Sequence, residues 1–424
     1  MKPESNRVLK PKRRFPEFRD ATQWTEKPLE EILSPIVRER RKPVEAYTGL
    51  GMRSHGKGTF LKNLENPEKN SMEYLYEVQC DDLIVNITFA WEGAIAIAKP
   101  TDTGALVSHR FPTYVFKRDS AIPDFVRYII LDKQFIYKLG VISPGGAGRN
   151  RVLNKNDFLK LRVILPEVSE QQRVADCLTS LDELIDAHGQ KLDALKSYKK
   201  ALMQQLFPLD GETIPRLRFP EFRDAPEWAP HKFGNFVVES FYGTSEPTSD
   251  KGQYPVLRMG NMVDGGLDFN DLVYIDLDRE KFDAIRLKKG DILLNRTNSR
   301  ELVGKISLFE MESECITASY IVAFRLDTNE IHPSFCNLML NTQLYQAKIK
   351  LLATPSISQA NINPTTFRNN LDILIPTKPE QQRIASCLSA LDDLIAAQTQ
   401  KFEALKTHKK GLMQQLFPSS EEAL

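Results

Sequence analysis

The sequence predicts an α+β protein: two α+β domains separated by two long antiparallel coiled-coil helices, with a pseudo-two-fold internal repeat. Three observations carry that prediction. RFPEFRDA at Arg14–Ala21 recurs unchanged at Arg218–Ala225, and Trp24 and Trp228 follow at the same distance. Glu170–Pro208 recurs at Glu380–Pro418, opening with EQQR and closing with MQQLFP in both copies. Between these blocks the chain diverges into stretches of mixed helical and strand character. Offsets of 204 and 210 residues are the size of a domain, far above the 20–50 residues of a solenoid unit.

Taken in chain order, a first domain with its N-terminal stub covers residues 1–166 and a central helix 167–208. A second domain covers 209–376 and a distal helix 377–424. In the first domain, β-type runs fall at Leu83–Asn86, Ala94–Ala98 and Tyr114–Phe116, before a helix over Asp124–Leu139. The second offers Val256–Met259, Asp291–Asn295, Lys305–Phe309 and Ile321–Phe324, before a helix over Ser334–Leu352. Pro123 and Pro333 stand at the starts of these two helices, where a missing N–H costs nothing.

The repeated block is patterned as a heptad helix. Val174, Leu178, Leu181, Ile185, His188, Leu192, Leu195, Lys199, Leu202 and Leu206 follow one another in alternating steps of four and three. The second copy places Leu388, Leu391, Ile395, Gln398 and Lys409 in the same seam. Pro166 and Pro376 lie just upstream, and Pro208 and Pro418 close the segments. Both seams are polar at the same places, His188/Gln398 and Lys199/Lys409. A polar residue in a seam either fixes register and partner or marks an exposed part of it. Two like helices in one chain are natural partners for each other.

Composition narrows the function. Of 424 residues, 27% are charged and 41% hydrophobic, ordinary values for a globular protein. Lys+Arg 57 against Asp+Glu 56 leaves a formal charge of +1, so any nucleic-acid face has to be a local patch. Five cysteines without CxxC spacing and six scattered histidines offer neither a disulfide framework nor a zinc site. No apolar run is long enough for a membrane span, and the basic segment Met1–Arg14 is not followed by a signal-type apolar region. These features predict a cytoplasmic, reduced protein. Gly49-Leu50-Gly51 and Gly145-Gly146-Ala147-Gly148 fit neither a P-loop nor a dinucleotide fingerprint, and no carboxylate or histidine cluster suggests hydrolysis.

Polar chemistry concentrates in the loops of the divergent stretches. The first has Arg53, His55 and Lys57 in a Gly-rich segment, then Arg149, Asn150 and Arg151. The second has Asn295, Arg296, Asn298 and Arg300. Arginine reads guanine and asparagine reads adenine through paired hydrogen bonds in the major groove, and Arg and Lys also hold phosphates. Singly, such residues are more often solvated turn residues; clustered, they predict a base-reading surface.

With these features in view, the chain resembles the specificity subunit of type I restriction-modification systems over nearly its whole length. The resemblance rests on the doubled RFPEFRDA stub with its tryptophan and on the strand motif Asp81-Asp82-Leu83-Ile84 and Gly290-Asp291-Ile292-Leu293. The doubled EQQR…LMQQLF helix completes it. It implies two target-recognition domains, each reading one half of a split, asymmetric double-stranded DNA site. The helices would set the gap and dock two methylation (M) subunits, with restriction (R) subunits joining. AdoMet, ATP and magnesium would belong to those partners, with no cofactor, metal or catalytic residue in this chain. Asp81 stands where the motif usually has glycine, so a different turn is expected there. Two other readings stay open: a stand-alone DNA methyltransferase or nuclease, and a coiled-coil scaffold without DNA contact.

Overall fold

A computed structural model of the chain describes residues 10–145, 151–355 and 359–418. The chain divides into two compact units, one formed by residues 1–188 with 401–424 and the other by 189–400. These units do not follow the predicted domain boundaries, because each long helix is shared between them. The helices run over Val168–Leu206 and Lys378–Leu416.

In the first unit, the core sheet has four antiparallel strands in the order Leu33–Ile36, Thr113–Phe116, Leu83–Val85, Ile95–Ile97. In the second, the order is Val237–Tyr242, Ile321–Leu326, Ile292–Asn295, Ile306–Leu308, again antiparallel. The topology is the same. Each unit also has a two-stranded ribbon, Thr25–Pro28 with Arg162–Leu165 and Ala229–Lys232 with Asp372–Ile375. The units differ in their additional sheets. The first adds five strands, including the hairpin Tyr47–Met52/Thr59–Leu64, which the sequence pattern did not predict. The second adds a three-stranded sheet around Tyr254–Leu257, a second three-stranded sheet of Thr297–Asn298, Ala360–Ile362 and Ala353–Pro355, and the short hairpin Met262–Val263/Gly266–Leu267.

Each helix predicted beside the sheet is in fact two. Pro123–Ile130 is followed by Lys133–Val141, and Pro333–Leu340 by Gln343–Leu351. The breaks are capped from within: the Asp132 side chain accepts from the Gln134 N–H, and Thr342 from the Tyr345 N–H. A continuous apolar pattern hid these caps.

The long helices pair antiparallel within each unit. In the first, Leu416 shares a core with Val174 and Leu178; in the second, Leu206 shares one with Ile384 and Leu388. The polar seam positions have a use. Lys199 Nζ lies 2.5 and 2.7 Å from the two Asp392 carboxylate oxygens, and Lys409 bonds Asp182. Gln398 is buried and His188 half-buried. Leu181, Ile185 and Ile395 are half-buried, while Leu391 is buried.

The repeated stub and the repeated EQQR are two halves of one lock. Arg14 donates to Glu170 at 2.7 and 2.5 Å and to the Ala21 and Thr22 carbonyls; Arg218 does the same with Glu380, Ala225 and Pro226. Arg173 covers the Phe15 ring and bonds Glu17, as Arg383 covers Phe219 and bonds Glu221. Gln171 and Gln381 accept from the Ile122 and His332 N–H groups. Beneath each lock sits a tryptophan. Trp24 meets Phe125 and Phe417 edge-on, and Trp228 meets Phe335 and Phe207. The aromatic that the first long helix supplies to the second unit is thus supplied to the first unit by the second helix.

Candidate nucleic-acid interface

The strand motif fixes where each loop cluster emerges. Asp81 and Gly290 both have left-handed backbones, φ 67° and 95°, so the turn expected to differ is shared. Asp tolerates this region better than most residues. The next residue is a buried carboxylate in both units. Asp82 accepts from the Gln79 N–H at 2.8 Å and from Arg38 at 2.5 and 3.0 Å. Asp291 accepts from the Lys288 N–H at 2.7 Å and from Arg325 at 3.1 and 2.9 Å. Burial pushes the Asp291 carboxyl up from its ordinary value, with Arg325 opposing. These aspartates were visible as a motif but not as caps, because their arginine partners lie 44 and 34 residues away.

In the first unit the loop after Leu83–Val85 turns through Ala90–Glu92 and returns, with Asn86 N–H bonded to the Ala94 carbonyl. Asn86 accepts from the Thr88 N–H, and Trp91 Nε1 donates to the Thr88 carbonyl, so the loop is internally tied. The tip of the 47–64 hairpin is attached to it. His55 N–H donates to the Glu92 carbonyl at 2.7 Å, Gly56 N–H to the Gly93 carbonyl, and Ser54 Oγ to the Glu92 carboxylate. Positive φ at Gly56 and Gly58 makes this tight tip possible. Arg151 lies over the Trp91 ring, 5.4 Å from its centroid, and Arg53 over Phe60 at 4.8 Å. Arg53, His55 and Lys57 are exposed and Arg151 half-buried. Two clusters about a hundred residues apart in the chain therefore meet at one turn. Arg149 and Asn150 lie outside the described residues.

In the second unit the corresponding loop runs from Asn295 to Gly304, closed by the Asn295 N–H to the Lys305 carbonyl and the Gly304 N–H to the Asn295 carbonyl. Asn295 does not reach the surface: it is 0% exposed, and neither amide atom has a hydrogen-bond partner. That corrects its placement among base-reading residues. Its strand is buried on both faces, with Ile292 and Leu294 in one core and Leu293 in another, so the pleat offers no solvent side. Asn298 is half-buried, with its Nδ2 3.2 Å from Met259 Sδ and its Oδ1 accepting from the Ser299 N–H. Arg296 lies over the Tyr242 ring at 5.3 Å, and Arg300 is exposed.

The two patches occupy the same place. The Leu153 N–H donates to the Ile87 carbonyl in the first unit, and the Ile362 N–H to the Arg296 carbonyl in the second. Ile87 and Arg296 each directly follow the motif strand's asparagine. Leu153 and Ile362 each directly precede a helix-capping asparagine, Asn154 or Asn363. Among the described residues no group of His, Cys, Asp and Glu could hold a metal, and all five cysteines are free. No described helix is long and apolar enough to cross a membrane.

The type I restriction modification DNA specificity domain matches residues 23–197 and 240–407. A protein of Methanocaldococcus jannaschii named as a putative type I restriction enzyme MjaX specificity subunit is 32% identical over 176 residues, 41% of each chain. The MjaVIII specificity subunit of the same organism is 24% identical over 268 residues, 62% of each chain. The matches thus span less than two thirds of these relatives. The S subunit crystal structure from M. genitalium superposes with a TM-score of 0.60 at 14% identity, covering 97% of this chain and 100% of that one. With one frame built twice and matched twice, the chain belongs to the family of type I restriction modification DNA specificity domains.

Proposed function

We propose that this chain is the sequence-specific DNA-recognition subunit of a type I restriction-modification complex. Each unit reads one half of a bipartite, asymmetric double-stranded site, while the paired helices set the gap and dock two methylation subunits. Restriction subunits join that core. AdoMet, ATP and magnesium are used by those partners, and this chain carries no catalysis of its own. The observation that supports this reading is the pairing of one repeated frame with two different basic, aromatic patches at the same place. A near-neutral chain fits, because partners supply part of the positive surface that closes on DNA.

The test is a domain exchange. Residues 34–165 are replaced by the equivalent stretch of a relative, the complex is assembled, and methylated positions are mapped. One half-site changes and the other stays. A change in both halves contradicts the reading. Methyl transfer from labelled AdoMet by the purified chain alone would favour the stand-alone enzyme instead.

A further inference from the structure

Most arginines of the frame are engaged with carboxylates: Arg14, Arg38, Arg218 and Arg325 all make such pairs. Arg151 and Arg296 differ. No ion pair involves either among the described residues, and each lies on an aromatic ring, Trp91 or Tyr242. They come from opposite members of the same hydrogen-bonded pair of segments. Arg151 stands two residues before Leu153, whose N–H meets the loop. Arg296 is itself the loop residue that receives the Ile362 N–H. Two diverged sequences thus place, beside one common pair of hydrogen-bonded segments, a guanidinium that lies over a ring and has no ion pair among the described residues.

A cation–π contact holds a guanidinium beside its ring without using its N–H donors; in Arg296 the Nε is buried, so it is the terminal N–H groups that can reach a ligand. Trp91 is itself held by its bond to the Thr88 carbonyl, and the Tyr242 backbone is paired in a core-sheet strand, with its ring about half exposed. The planar fork of an arginine matches two acceptors side by side, which guanine presents as O6 and N7 in the major groove. Arg53 also covers a ring, but it shares Phe60 with Lys62 and sits at an exposed hairpin tip. Resting on the DNA-recognition reading above, we propose that Arg151 and Arg296 are the specificity-determining residues of the two units. Each reads one guanine in its own half-site, with Trp91 and Tyr242 as positioning residues.

The experiment uses the full chain assembled with its methylation subunits, with methylated sites mapped and DNA binding measured against salt. The wild-type complex should show a bipartite motif with a required G·C pair in each half. Arg151→Ala should lose about tenfold to a hundredfold of discrimination at one G·C position of one half, and Arg296→Ala at one position of the other. Arg→Lys should not restore it, because an ammonium cannot make the paired contact. Trp91→Leu and Tyr242→Leu should relax the same positions less. Equal weakening on all sequences with a shallower salt slope would overturn the proposal in favour of phosphate contacts. An unchanged motif, or a wild-type half-site with no required G·C, would overturn it too. If an alanine variant fails to assemble, Arg→Lys, which keeps the stem and charge, decides. A wild-type complex with no bipartite motif would instead defeat the proposed function, independently of any variant.

Discussion

The two units share a frame almost bond for bond, yet differ in the sheets and loops built onto it. The stub lock, the tryptophan beneath it and the capped strand motif occur in both. The hairpin at 47–64 belongs to the first, and the sheet around Tyr254–Leu257 to the second. The loops differ in how they are held. In the first, Asn86 is bonded within its loop. In the second, the Asn295 side-chain amide, Arg296 Nε and Ser299 Oγ are buried without partners. Selection for one fold and two readings would leave this pattern: identity where residues hold the frame, divergence where they meet a ligand.

The largest test of that equivalence is the lock. Its carboxylates are 2% and 1% exposed, so removing either strands a buried guanidinium. Glu170→Ala and Glu380→Ala should each destabilise their own unit by about 3–5 kcal/mol. Glu380 also accepts from Trp228 Nε1 at 3.3 Å, whereas Trp24 Nε1 has no partner. The second unit should therefore lose more, and calorimetry should show which transition moves. Equal losses would mean that the indole bond is idle.

The turn before the motif strand gives a smaller, asymmetric effect. A Cβ on Gly290 would stand 3.3 Å from Pro333 Cγ on a left-handed backbone. Gly290→Ala should cost about 1–3 kcal/mol. Asp81→Gly should be near neutral in chemical denaturation, because glycine relieves strain while the exposed Arg118 pair is lost.

The seam pairs should couple weakly. Their side chains are 20–48% exposed, so double-mutant cycles on Lys199/Asp392 and Lys409/Asp182 should give no more than about 1 kcal/mol. Lys409 also covers Tyr128, whose hydroxyl donates to Asp182, so the first unit's coupling should be the larger.

The smallest expected difference is in acid. His332 stands where the first unit has Ile122, and burial, with Lys378 nearby, holds its imidazole below the ordinary value. The folded state thus keeps it neutral where the unfolded chain takes up a proton. Stability from this site is full above about pH 6.5 and falls as pH drops through the lowered folded value. His332→Gln should flatten the second unit's stability below pH 6.5 and leave the first unchanged.

The sequence by itself determined the duplication, the long helices, and three of the four core-sheet strands in each unit, but not Leu33–Ile36 or Val237–Tyr242. Heptad spacing and short apolar runs are local signals, and burying them against any partner requires the same pattern. It also marked the loops that carry basic residues. Tertiary structure decided what those residues can do. Asn295 was lost to the core because its strand is covered on both faces, and His55 and Arg151 met at one turn across about a hundred residues. The RFPEF stub and EQQR were each legible as repeats, but their bond was not. Arg14 and Glu170 are 156 residues apart, and only the folded chain brings a guanidinium and a carboxylate together out of water, where neither is stable alone.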